Sequence, residues 1–300
     1  MKISAQLQGV IIVLIGVICF SSKAVFIKLS YEHNVDSTTL LFLRLAFALP
    51  VYITILIAQY KKNGPVKTSL ILKSGGIGLI GYYVASWLDF KGLSYISASM
   101  ERLILFAYPT FVVLISAIVL KNKITLPQIL ALILAYIGLA VIILYRDAET
   151  STNTNFTLGA SLIVLSALTY AAYLVGSGEI MKQLGAGRFT AIAMLFSCCG
   201  VVIHQFVFNT QDLLNFDREV YVYALWMAGI ATVIPSFLIS YGIKLIGASN
   251  ASIIGAAGPV STIVLAYIFL GESINIIQIV GTILVMLGVV IISTQKNKKP

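Results

Sequence analysis

Four ionisable residues stand where the surrounding sequence is apolar. Lys23, Arg44, Glu101 and Arg102 each lie inside a long hydrophobic stretch. On insertion scales a charge at the centre of a membrane helix costs about 2.5–3.5 kcal/mol. Such residues face the bundle interior, pair with one another or line a wet cavity, so they mark a path for a solute or an ion. Three positive side chains (Lys23, Arg44, Arg102) against the single carboxylate of Glu101 suit a small solute with an anionic group. Glu101 would then receive a substrate amine or carry a coupling proton. The plainer reading is a neutralising network. Glu101 would pair with Arg44 or Lys23, while Arg102 and Lys23 reach toward the headgroups. Glu101 and Arg102 are adjacent, about 100° apart around a helix, so one faces the cavity and the other a neighbouring helix. Asp89 and Lys28 fall slightly further out.

Aromatic and kinking residues complete the candidate set. Tyr82, Tyr108, Tyr173 and Tyr241 are expected to contact solute. Trp87, near a span end, reads more simply as an interface anchor. Pro109 and Pro259 each remove a backbone donor inside a span, which makes them candidate hinges, or else fixed bends. Gly75, Gly78 and Gly81, and Gly255 with Gly258, are expected at close helix contacts. His33 and His204 form no recognisable pair. The three cysteines show no metal spacing. There is no His-Glu-x-x-His, P-loop or Gly-x-Ser-x-Gly motif. No catalytic residue, metal site or cofactor is expected. A membrane-embedded enzyme would need two acids, or a nucleophile and a base, at one depth, and only Glu101 offers itself.

The elements that position these residues follow from composition. Hydrophobic residues make up 59% of the chain and charged residues 10%, against roughly 25% charged in a soluble domain. The net charge of +9 does not indicate nucleic acid, because the basic residues sit in short loops rather than on one face. Ten windows have the ~20 apolar residues that a span needs: 6–26, 37–58, 70–90, 97–119, 127–145, 158–178, 187–208, 220–240, 248–270 and 274–293. No small-residue cleavage site follows the first window, which is read as an uncleaved span. With the N-terminus inside, thirteen of the 20 Lys and Arg lie in inner loops or ends, and Lys91, Arg146 and Arg218 lie outside. That bias predicts cytoplasmic termini.

The chain also contains itself twice. A shift of 150 positions lays Gly92 on Gly242, Ser99 on Ser249, Pro109 on Pro259, Gln128 on Gln278 and Gly138 on Gly288. Each copy holds five expected spans, an odd number, so the second copy must enter the membrane from the opposite side. Two inverted halves are a recurring plan in secondary transporters, with the site between them. Under the same shift Lys23 becomes Tyr173, Arg44 becomes Met194, Glu101 becomes Ala251 and Arg102 becomes Ser252. The charges exist in one copy only, which favours a specialised site over a shared structural role.

Several motifs carry a resemblance to a known family. They are Leu43-Arg44-Leu45-Ala46-Phe47, Tyr95-Ile96-Ser97-Ala98-Ser99 leading to Tyr108-Pro109, Ala248-Ser249 leading to Gly258-Pro259, and Leu270-Gly271-Glu272. With the two-copy plan, they resemble the EamA-type members of the drug/metabolite transporter superfamily over essentially the whole chain. The chain has Phe20-Ser21-Ser22-Lys23 where that family often has Trp-Gly, and Asn122 at the first-copy position of Glu272. The resemblance implies an all-α membrane protein with ten transmembrane helices in two inverted five-helix repeats. The repeats would occupy 1–146 and 157–300, joined by an outer linker at 147–156. The expected function is a secondary transporter, an exporter of amino-acid-like or carboxylated solutes working by alternating access. Efflux of cationic drugs is the alternative. Expected partners are a small-molecule substrate, the lipid bilayer and a coupling proton, without nucleic acid, the chain acting as a monomer or a homodimer. The expected location is the plasma (cell inner) membrane, multi-pass.

Overall fold

A computed structural model of the chain describes residues 5–119, 121, 124, 126, 129–130, 133–134, 137, 155–209, 212–246, 254–255 and 257–294. The expected span at 127–145 and linker at 147–156 fall largely outside the described residues. So do Ala248, Ser249 and both chain ends.

All secondary structure among the described residues is helical. The first half gives α1 (Ala5–Ser21), α2 (Lys23–Tyr31), α3 (Ser37–Asn63), α4 (Thr68–Gly78), a π-helical segment (Leu79–Val84), α5 (Ala85–Leu93), α6 (Ala98–Leu105) and α7 (Tyr108–Val119). The second gives α8 (Phe156–Leu184), α9 (Ala186–Phe208), α10 (Arg218–Ala228), a second π-helical segment (Gly229–Val233), α11 (Ile234–Ile246), α12 (Ala257–Leu270) and α13 (Ile276–Thr294). Among the described residues, six stretches are long and apolar enough to cross a membrane: Leu7–Tyr31, Ser37–Asn63, Ala98–Val119, Phe156–Gly178, Gly187–Phe208 and Arg218–Ile239. The window at 70–90 is helical without a break from Thr68 to Leu93 and carries Lys73, Asp89 and Lys91. The windows at 248–270 and 274–293 correspond to α12, whose approach is partly outside the described residues, and to α13.

Local chemistry explains where the helices break. Ser21 Oγ donates to Val17 O at 2.8 Å and Ser22 Oγ to Cys19 O at 2.7 Å. Such back-bonding competes with the helix ladder and bends it, and the helix restarts at Lys23. In the stretch Ala98–Val119, Pro109 lacks an N–H, and a proline inside a helix is incompatible with a regular ladder to the carbonyl four residues earlier. That residue is Leu105, where α6 ends before α7 begins at Tyr108. Pro50, by contrast, is accommodated inside a continuous α3.

The two π-helical segments begin 150 residues apart, at Leu79 and Gly229. The sequence match and the irregularity therefore share one register. In the second segment, Thr232 Oγ1 donates to Met227 O at 2.9 Å, five residues back. Segments of this kind recur at functional sites. Tyr82 and Thr232 occupy equivalent places in the two.

The core forms between the halves of the chain. α1 packs on α11, α3 on α9 and α10, α4 on α9, α5 on α8 and α6 on α12. Small residues permit these approaches. A Cβ added at Gly78 would lie 2.5 Å from Cα and O of Ala193, and one added at Gly81 would strike the Tyr173 ring. Gly75 meets Phe196 and Gly258 meets Arg102 in the same way. Gly255 departs from expectation: a Cβ there would find nothing within 4 Å among the described residues. Overpacking a tight contact costs about 1–3 kcal/mol. Gly78→Val should therefore lower the thermal unfolding midpoint of the detergent-solubilised protein. Gly76→Ala, which would meet nothing within 4 Å, should leave it unchanged.

Candidate functional site

The N-terminus of α6 is the anchor of the site. Four N–H groups at a helix start lack helical partners. Here Ser97 Oγ accepts from Met100 N at 3.2 Å. Glu272, from the turn after α12, accepts from Ala98 N at 2.8 Å and from Ser99 N at 3.1 Å. A carboxylate at this end is also favoured by the helix dipole. The acidic turn of the second half thus fixes the helix that carries Glu101 and Arg102.

Glu101 points to a buried ion cluster. Lys23 Nζ, on the first turn of α2, bonds Asp89 Oδ2 on α5 and lies 3.5 Å from Glu101 Oε1. All three side chains are buried, Glu101 completely. Asp89 Oδ1 and both Glu101 oxygens receive no hydrogen bond from a fixed donor. Lys23 Nζ thus gathers the two carboxyl groups at one point, and a hydrogen bond between them would require a proton on one of them. Asp89 is the residue the sequence reading passed over. It was placed further out, yet it is the nearer partner of Lys23. Its 150-shift mate is Ile239, so the same subtraction that isolates Glu101 also isolates Asp89. An acid pair is present where the sequence reading offered Glu101 alone, and its two members share one close cation, Lys23.

Arg102 and Arg44 turn elsewhere. The Arg102 guanidinium lies over the Phe20 ring at 5.2 Å, and Lys23 Nζ lies 5.7 Å from the same ring. Arg102 Nε is buried without a hydrogen-bond partner, and among the described residues no carboxylate forms an ion pair with Arg102. Arg44 Nε donates to Thr232 Oγ1 at 2.8 Å, and its guanidinium lies 5.4 Å from the Phe90 ring. Arg44 therefore joins α3 to the second π-helical segment instead of pairing with Glu101. Phe20 was not foreseen as a platform, because an aromatic residue in a greasy span carries no distinguishing signal.

Three of the four expected tyrosines form one aromatic chain. Tyr173 OH donates to Tyr82 OH at 2.9 Å, with ring centroids 4.9 Å apart. Tyr170 stacks on Tyr173 at 5.7 Å and meets Tyr108 edge-on at 5.3 Å. Tyr170 was missed, though it lies three residues from Tyr173 and so on the same helical face. Tyr241 does not join them. It is 47% exposed on α11, and among the described residues no hydrogen bond or ring contact ties it to the chain. Trp87 is held inside the bundle. Its Nε1 donates to Thr38 Oγ1 at 3.0 Å, and its ring meets His204 at 5.4 Å. Pro109 marks the break between α6 and α7, and Pro259 is buried near the start of α12, beside Gly258 and Arg102.

A family model described as the EamA-like transporter family matches residues 7–144 and again residues 157–294. The second match begins and ends 150 residues after the first. The chain belongs to this family. YcbK of Bacillus subtilis (strain 168), an uncharacterized transporter, is 32% identical over 288 residues, spanning 93% of this chain and 91% of its own. An uncharacterized transporter of Synechocystis is 25% identical across 98% and 95% of the two chains. The uncharacterized inner membrane transporter YicL of Salmonella typhimurium is 21% identical across 97% of each. A protein solved by crystallography shares the fold, with a TM-score of 0.67 at 12% identity over 95% of this chain and 96% of its own. Family and relatives together point to a multi-pass membrane transporter rather than an enzyme. Within that family the charged cluster is a cost that the fold must balance. Breaking a buried pair by removing one partner costs about 3–5 kcal/mol. Lys23→Met should destabilise the protein by about that amount. Adding Asp89→Asn should recover part of the loss, as a double-mutant cycle of denaturant unfolding in micelles would show.

Proposed function

We propose that this chain is a secondary transporter that exports small carboxylated or amino-acid-like solutes across the plasma membrane. The observation that carries the reading is Arg102. Its guanidinium lies over the Phe20 ring, buried, with Nε unpartnered and without an ion pair to any carboxylate among the described residues. A buried cation without an acid is expensive, and the carboxylate of a solute would compensate it with a charge-assisted bond. Lys23, Glu101, Tyr82, Tyr108 and Tyr173 contribute to the same site. Transport proceeds by alternating access between two inverted five-helix halves, ten spans in all, with both termini cytoplasmic. Pro109 and Pro259 serve as hinges, and a proton on Glu101 couples transport to the ion gradient. Export of a cationic solute is the second reading. It is favoured by the hydrogen-bond-free oxygens of Glu101 and by the tyrosine chain, whose faces attract cations.

Untargeted profiling of metabolites inside and outside cells that lack the gene, carry it, or carry Arg102→Gln separates the readings. For a carboxylated solute, Arg102→Gln should cut export about tenfold or more, since losing a hydrogen bond to a charged group costs ~1.5–3 kcal/mol. Unimpaired export in Arg102→Gln, with loss in Glu101→Gln, would support the cationic solute instead.

A further inference from the structure

The cluster around Lys23 contains one more acid than its cation can balance. Lys23 bonds Asp89 and reaches Glu101 at 3.5 Å, and three of the four carboxyl oxygens meet no fixed donor. Two buried carboxylates gathered on one ammonium group leave one negative charge unbalanced. The surroundings supply no simple remedy. From α2, Tyr31 OH is committed to Phe90 O at 2.5 Å. From α3, Arg44 donates to Thr232 and lies over Phe90. From α6, Arg102 lies over Phe20. The second-half neighbour α8 presents Ser166, whose hydroxyl donates to Ala85 O at 2.8 Å, and α12 presents Gly258. Glu272 is held at the N-terminus of α6 by two backbone N–H groups.

We propose that Asp89 and Glu101 together hold a single proton, so that the proton-binding site is the pair closed by Lys23 and not Glu101 alone. The proton balances the second acid and lets one carboxyl group donate to the other. When it leaves, the pair carries an uncompensated negative charge that only a proton or another cation can cancel. This deepens the coupling role given to Glu101 above and rests on the transport reading for its place in a cycle, but its test does not need a known solute.

The test reads protonated carboxyl groups directly. Full-length protein in lipid nanodiscs is titrated while the infrared band of the protonated carboxyl is followed. The expected result near neutral pH is a band equivalent to one group per chain, absent from both Glu101→Gln and Asp89→Asn. Each variant leaves one carboxylate facing one ammonium group, so neither needs the proton. Persistence of the band in Asp89→Asn would overturn the proposal, since Glu101 would then be protonated through burial alone. Persistence in Glu101→Gln, or absence from the wild-type chain, would overturn it as well. Both substitutions preserve shape, and elution of each variant as a single folded species excludes loss through misfolding. A chain that shows the expected pattern yet moves no solute would keep the shared proton and remove the transport reading. A chain that moves solute without the band would do the reverse.

Discussion

A charge taken out of water must meet its opposite, and in an apolar bundle this requirement governs where helices can go. Lys23, Asp89 and Glu101 arrive on three separate helices, α2, α5 and α6. Each needs the others more than it needs any particular apolar neighbour. Shifting α2 by one residue would turn Lys23 about 100° away and strand two acids. Close glycine contacts set how near the helices approach. The ion cluster adds a constraint of direction, because Lys23 must reach both acids, and the serine-induced break ahead of Lys23 fits that constraint.

The second constraint is the interlocking of the halves. The main helix contacts run from one half to the other, so the site is framed by both although its charges come from one. Arg44 reaches Thr232 in the second π-helical segment, and Tyr82 in the first receives a hydrogen bond from Tyr173 of the second half. The equivalent irregularities thus present polar side chains across the same interface from opposite directions. Glu272 adds a third link, since the turn after α12 holds the start of α6. A movement of one half relative to the other cannot leave Glu101 and Arg102 where they are.

Much of this was legible in the sequence. Among the described residues the apolar windows fall on helices, because hydrocarbon thickness demands length and hydropathy reports it, while the window at 127–145 lies largely outside them. The 150-residue shift isolated Lys23, Arg44, Glu101 and Arg102, because a charge present in one copy alone stands out against its mate. The partners were less legible. Asp89 passed the same subtraction but was discounted on depth, which the sequence gives only as a count along a helix assumed straight. Arg44 looked like an acid's partner, yet it pairs with a threonine, because charge says nothing of direction around the helix. Tyr241 matched the other tyrosines by type while facing away. The π-helical segments left no trace beyond ordinary residues, since an extra residue in a turn changes geometry without changing composition.

The location of the ion cluster bears on how the protein is made. Chains emerge N-terminus first, and early segments settle before later ones exist. Lys23, Asp89 and Glu101 all belong to the first half, so they can come together before the second half exists. Arg44 must wait for Thr232. The nascent first half therefore holds its ion cluster together while Arg44 still lacks its partner. The arrival of the second half supplies it, and that open cation gives the second π-helical segment a reason to dock where it does.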